Sequence, residues 1–144
     1  MNFKSQISTT LEQSKRLLAL GLKTETADLC YSNASVNGPF YTEHFRLCAG
    51  NYSIVKERLD KFNSKYWDLI PAWSLNRLIE MCPHYLGCYD FVLSHSFVEY
   101  TAFNDDGRYH KQPMSVNDNL YDMMIDCIER LIKDNNFRKE YLNL

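Results

Sequence analysis

Cys82, His84 and Cys88 fall within one short stretch, CPHYLGC, and offer the sulfur and imidazole donors that suit a tetrahedral zinc ion. A structural zinc needs four ligands, which usually arrive in pairs such as C-x-x-C or H-x-x-x-H. This stretch has neither pair, so a fourth ligand would have to come from Cys48, His44 or His95. The competing assignment places Cys82 on the buried side of a helix and His84 at its C-terminal end, where a donor suits the free carbonyls. The chain is therefore expected to hold no metal and no other cofactor.

A cysteine nucleophile needs a base held against it. Cys48 and Cys88 have histidines near them in number, but no G-x-S-x-G elbow or recognisable thiol-enzyme context accompanies them. His95, between Ser94 and Ser96, reads as a turn residue. Asp105, Asp106 and Gly107 also read as a turn, because a calcium loop needs acidic ligands at alternating positions and a later Glu. Asp118, Asp122 and Asp126 share one helix face and could hold a divalent ion in a cleft; opposite an apolar face they read as a solvated stripe. Neither phosphate-cradling loop, G-x-x-x-x-G-K-[ST] or G-x-G-x-x-G, occurs in the chain. No catalytic residue is assigned.

Aromatic residues make up 14% of the 144 positions, ten of them tyrosine, a type that combines contact area with a hydroxyl. Tyr66, Trp67 and Trp73 are the interaction candidates, since Trp and Tyr concentrate at binding hot spots. Lys56, Arg58, Lys61 and Lys65 interleave with aromatics, a pattern that single-stranded nucleic acid could use by base stacking. The same alternation arises in any half-buried strand or amphipathic helix. A net charge of −2 and a pI near 6.1 oppose duplex binding, which usually goes with a basic face and a pI above about 9.

These residues need elements to position them. Thr9 to Glu12 has the T-x-x-E spacing of a capping box, predicting a helix through Leu11, Leu17, Leu18 and Leu22 with Gly21 at its end. Thr24 onward, ETADLCY, predicts one or two further helical turns. NASVNG (33–38) reads as a loop, PFYTEHFRLCAGNY as extended, and IVKERLDKF as a short helix or helical loop with Val55, Leu59 and Phe62 at helical spacing. In IPAWSLNRLIEMCP, Ser74 caps a helix with Leu75, Leu78, Ile79 and Cys82 inward, Trp73 and Leu78 form a hydrophobic staple, and Pro83 stops it. YDFVLSHSFVEYTAF predicts strand, turn at Ser94–Ser96, and strand, or one long bent strand. NDDGRYHKQP reads as a polar loop. Ser115 to Asp118 then predicts the start of the longest helix, over about 116–134, whose apolar residues Leu120, Met123, Met124, Ile125, Cys127, Ile128, Leu131 and Ile132 would form the core.

Three blocks, SKRLLALGLKTETAD (14–28), IPAWSLNRLIEMCP (70–83) and NLYDMMIDCIERLIKDNNFRKEYL (119–142), resemble in sequence and order a group of small uncharacterised proteins of anaerobic gut bacteria, often carried on prophages or mobile elements. The resemblance covers somewhat over a third of the chain and implies a mobile-element setting; it implies no activity and no site residue.

The expectation is a single globular α+β domain over 1–144, with about three main helices packed on a short, mostly antiparallel sheet. A chain of this length typically buries roughly 70% of its unfolded surface. Five cysteines, odd in number and without an apparent secretory leader, predict reduced thiols in a cytoplasmic protein, and no run of 18 apolar residues predicts a membrane span. The expected function is non-catalytic: a protein–protein interaction or accessory factor, with an unknown protein partner or as a homodimer. The alternatives are a single-stranded nucleic-acid-binding protein and a small enzyme or metal-binding protein built on Cys and His.

Overall fold

The computed structural model describes residues 5–34, 41–48, 50–61, 68–103 and 105–143, with backbone only for Ala34 and residues 41–44. The architecture is α+β, with four α-helices and two antiparallel sheets where three helices on one sheet were expected. Two compact units account for it, one running to Arg77 and joined by Asn143, the other spanning Leu78–Leu142.

The first unit contains α1 (Leu11–Ala19), a 3-10 turn (Thr24–Thr26), β1 (Leu29–Ala34), β2 (Tyr41–Cys48), α2 (Tyr52–Asp60), β3 (Leu69–Ala72) and the start of α3 (Leu75–Met81). The strands order β2-β1-β3, all antiparallel, with Cys30 opposite Cys48 and Leu29 opposite Ala72. The first helix begins one residue later than the T-x-x-E spacing predicts. Thr10 is its cap, accepting from the Gln13 amide, while the Gln13 side chain accepts from the Thr10 amide, so the box is T-x-x-Q. Thr9 is used elsewhere: its amide donates to the Trp73 carbonyl and its hydroxyl accepts from the Trp73 amide.

Gly21, at φ +96°, ends α1 as expected: Leu22 N–H reaches the Leu17 carbonyl and Gly21 N–H the Leu18 carbonyl. The helical turns expected over ETADLCY shorten to the 3-10 turn, because from Leu29 the backbone pairs with both β2 and β3. Of PFYTEHFRLCAGNY, read as extended, Tyr41–Cys48 is β2, whereas Asn51 caps α2 on the Ile54 amide and Tyr52 begins it; of IVKERLDKF, Ile54 to Asp60 lie in α2, Lys61 follows it, and Phe62 is outside the described residues.

The second unit contains the remainder of α3, β4 (Tyr85–Leu86), β5 (Tyr89–Leu93), β6 (Phe97–Phe103), β7 (Tyr109–Val116), α4 (Leu120–Lys133) and a 3-10 turn (Lys139–Tyr141). Its strands form a meander in sequence order. The two strands and turn read from YDFVLSHSFVEYTAF are β5 and β6. YHKQP is not a loop but most of β7, an edge strand that carries its own Pro113 and is exposed along most of its length. Pro113 is tolerated there because an edge leaves some amides unpaired.

Helix α4 starts at Leu120, capped by Asn119 on the Asp122 amide; Ser115, expected to open it, lies in β7 and donates instead to Asp126 Oδ2 at 2.9 Å. Its buried residues are Tyr121, Met123, Met124, Ile125, Cys127, Ile128 and Leu131, and it packs on β6 and β7, where Val98, Tyr100 and Ala102 are buried. Of the expected stripe Asp118, Asp122 and Asp126, Asp118 precedes α4 and is exposed, while Asp122 and Asp126 are half-buried on it; further along the helix Lys133 lies 3.6 Å from Glu129 and Arg130 3.3 Å from Asp134.

Candidate interaction surface

Because α4 packs on β6 and β7 against Val98, Tyr100 and Ala102, the residues alternating with these must face away from it. Register groups them in rows: Tyr85 with Asp90, Thr101 and Lys111; Val92 with Glu99 and Pro113; Phe97 with Val116; Phe103 with Tyr109. Within this face Tyr85, Phe103, Tyr109 and Val116 are 68%, 66%, 70% and 78% exposed. The Phe103 and Tyr109 rings meet edge to face, centroids 5.1 Å apart, which fixes two aromatic side chains in the open. Asp90, Glu99 and Lys111 add charges of both signs between them.

Thr101 sits in the middle of this face, and its Oγ1 is the one buried side-chain polar atom among the described residues without a hydrogen-bond partner. An orphaned hydroxyl of that kind costs about 1–3 kcal/mol. At the Phe103 end a shallow depression of about 450 Å³ is lined by Cys88, Phe103, Asp105 and Asp106, so its mouth is acidic. In the first unit a second depression, about 320 Å³, is lined by Thr24, Glu25, Tyr52, Lys56, Glu57 and Asp60 and is mainly polar.

The interaction candidates read from the sequence lie elsewhere. Tyr66 and Trp67 are outside the described residues. Trp73 is fully buried, with its indole N–H donating to Thr26 Oγ1 at 3.0 Å, so it is a core residue and not a contact surface. Around it Asp28 accepts from the Ser74 amide and hydroxyl, and Arg77 Nε donates to the Thr26 carbonyl at 2.7 Å. Ser74 also accepts from the Arg77 amide, as a helix cap should.

The zinc candidates are split. Cys82 is buried beside Cys127, while His84 and Cys88 are exposed. Among the described residues no three His, Cys, Asp or Glu side chains gather in a group able to hold a metal ion. Cys82 is pushed well above the usual thiol range by its hydrogen bond with Cys127 and by burial, the opposite of what a nucleophile or metal ligand needs. His95 is in the turn between β5 and β6, and Asp106 caps its own turn by accepting from the Arg108 amide. Lys56, Arg58 and Lys61 are exposed on α2 and just after it; Lys65 and the His44 side chain are outside the described residues.

No family model, curated protein or solved structure matches this chain. Its own geometry is therefore the basis for a functional reading. Among the described residues no helix is long and apolar enough to cross a membrane. The open sheet face escaped sequence reasoning because two of its five exposed apolar residues, Tyr109 and Val116, belong to β7, whose polar residues and proline resemble a loop. The one signal available was FVEYTAF, where Phe97 and Phe103 fall on the side opposite Val98 and Tyr100.

Proposed function

We propose that this chain is a non-catalytic binding module that holds a protein partner on the open face of β4-β5-β6-β7, acting as a cytoplasmic accessory factor in the mobile-element setting its sequence resemblance implies. One observation carries the reading: of the seven large apolar side chains exposed among the described residues, Tyr85, Val92, Phe103, Tyr109 and Val116 belong to this one face. Clustered apolar exposure of this kind is the usual mark of a contact surface. Mixed charges from Asp90, Glu99 and Lys111 suit a protein surface better than a polyanion.

The test replaces Phe103 and Tyr109 with serine together, using Ile54→Ser as the control, and measures partner capture and oligomeric state. Loss of capture or of a dimer in the double variant alone supports the reading. Capture that survives in the double variant, or wild type that is monomeric and binds nothing, counts against it.

Single-stranded nucleic acid is the second reading, favoured by exposed Tyr85, Phe103 and Tyr109 on an antiparallel sheet, where bases could stack. Retention of short oligonucleotides that weakens steeply with salt would select it. The acidic mouth beside Phe103 speaks for the protein reading instead.

A further inference from the structure

The five cysteines sort into three situations. Cys88 is exposed and sits in the β4–β5 turn; Cys82 and Cys127 are a buried pair; Cys30 and Cys48 face each other directly across β1 and β2. Directly opposed residues of an antiparallel pair have Cα atoms roughly 4.5–5.5 Å apart, inside the roughly 4.4–6.8 Å window a disulfide requires. Both side chains also project to the same side of the sheet. Cys30 is fully buried with its thiol directed at the Gly50 carbonyl, whereas Cys48 is half-buried and reachable from solvent.

We infer that Cys30 and Cys48 form a reversible redox pair, closed to a disulfide by a hydroperoxide. Cys48 attacks the peroxide oxygen; the O–O bond breaks, the sulfur becomes a sulfenic acid, and the alcohol or water leaves with the thiol proton. Cys30 then attacks the Cys48 sulfur, water departs with the second thiol proton, and the S–S bond forms. Both electron pairs are accounted for: two thiols are oxidised by two electrons, and one peroxide is reduced. Burial, then the neighbouring Cys48, push the Cys30 thiol up to about 12, which makes the half-buried Cys48 the sulfur that meets the peroxide first; Cys30 gives up its proton only as it attacks, to the hydroxyl that leaves Cys48 as water. The bond would tie edge strand β2 to the central strand β1 of its sheet. Cys82 and Cys127, both buried, are a pair an outside oxidant does not reach and serve as an internal control.

The test treats the reduced full chain with hydrogen peroxide, blocks remaining thiols with maleimide in denaturant, and maps tryptic peptides. Trypsin cuts after Arg46, between the two cysteines, so the disulfide appears as two joined peptides. The expected result is a Cys30–Cys48 link that dithiothreitol removes, with Cys82 and Cys127 still maleimide-labelled. In Cys30→Ser, the Cys48 sulfenic acid should accumulate and be trapped by dimedone, a result that does not depend on closing any bond. Cys48 passing to sulfinic acid in the wild type without a link, or links only between chains, would overturn the inference.

Discussion

Trp73 Nε1 donates to Thr26 Oγ1 at 3.0 Å, and the Thr26 hydroxyl in turn donates to the Lys23 carbonyl at 2.6 Å. The residue after β3 is thereby bonded to the 3-10 turn before β1, 47 positions away. Replacing Thr26 with valine keeps the volume but leaves the buried indole N–H unpaired, a loss of about 1–3 kcal/mol. Trp73→Ala should cost more, about 3–5 kcal/mol, because it also opens a cavity. Urea denaturation gives both values; a Thr26→Val variant as stable as wild type would show that the bond does not form.

The position of the first cap can be checked by the same method. Thr10→Ala and Gln13→Ala remove the two halves of the observed box and should each lower stability by about 0.5–1.5 kcal/mol. Glu12→Ala, which would break the box predicted from T-x-x-E, should lose only a few tenths of a kcal/mol, from its favourable place in the first helical turn.

How much was legible follows from which signals are local. Every helix was anticipated, because apolar spacing at i, i+3 and i+4 is carried within one segment; α4 and the Ser74 cap are the clearest cases. Caps were misplaced by one to four residues at Thr10 and Asn119 because two or more eligible side chains stand close together, and only tertiary demand on Thr9 and Ser115 decides between them. Strands β1, β3, β4 and β7 were missed for a different reason: Leu29–Ala34, for one, falls in ETADLCY and NASVNG, which read locally as helical turns and a loop. Leu69–Ala72 contains Pro71, and Tyr109–Val116 is mostly polar, so their pairing partners, distant in sequence, supply the structure. The candidate surface depended on β7 and was hidden with it.

Asn135 occupies the left-handed region at φ 58° and ends α4: Asn136 N–H reaches the Leu131 carbonyl and Asn135 N–H the Ile132 carbonyl. This is the same terminus that Gly21 gives α1, built with the one common non-glycine residue that tolerates it. Asn135→Gly should therefore raise stability by up to about 1 kcal/mol, and Asn135→Val should lower it by at least as much, since a β-branched residue pays the full steric cost of that conformation. Thermal unfolding by circular dichroism separates the two directions.

Stability should also fall on the alkaline side, and three buried groups set the sign. The Cys30 thiol is raised from 9.0 to about 12, chiefly by burial; Cys82 is raised by its bond with Cys127 and by burial; and Tyr100 is raised by burial and the nearby thiols. Each is neutral when protonated, and each gives up its proton more readily in the unfolded chain. Their contribution is thus complete below about pH 9 and is lost as pH rises toward about 12. Ionising Tyr100 would also remove the hydroxyl that donates to the Pro83 carbonyl at 2.7 Å. Urea midpoints measured at about pH 7, 9 and 10.5 should hold nearly level over the first interval and drop over the second. Cys30→Ala should show a shallower drop than wild type while starting from its own, lower midpoint. A slope unchanged by that substitution would mean that the Cys30 thiol titrates in the fold as it does in water.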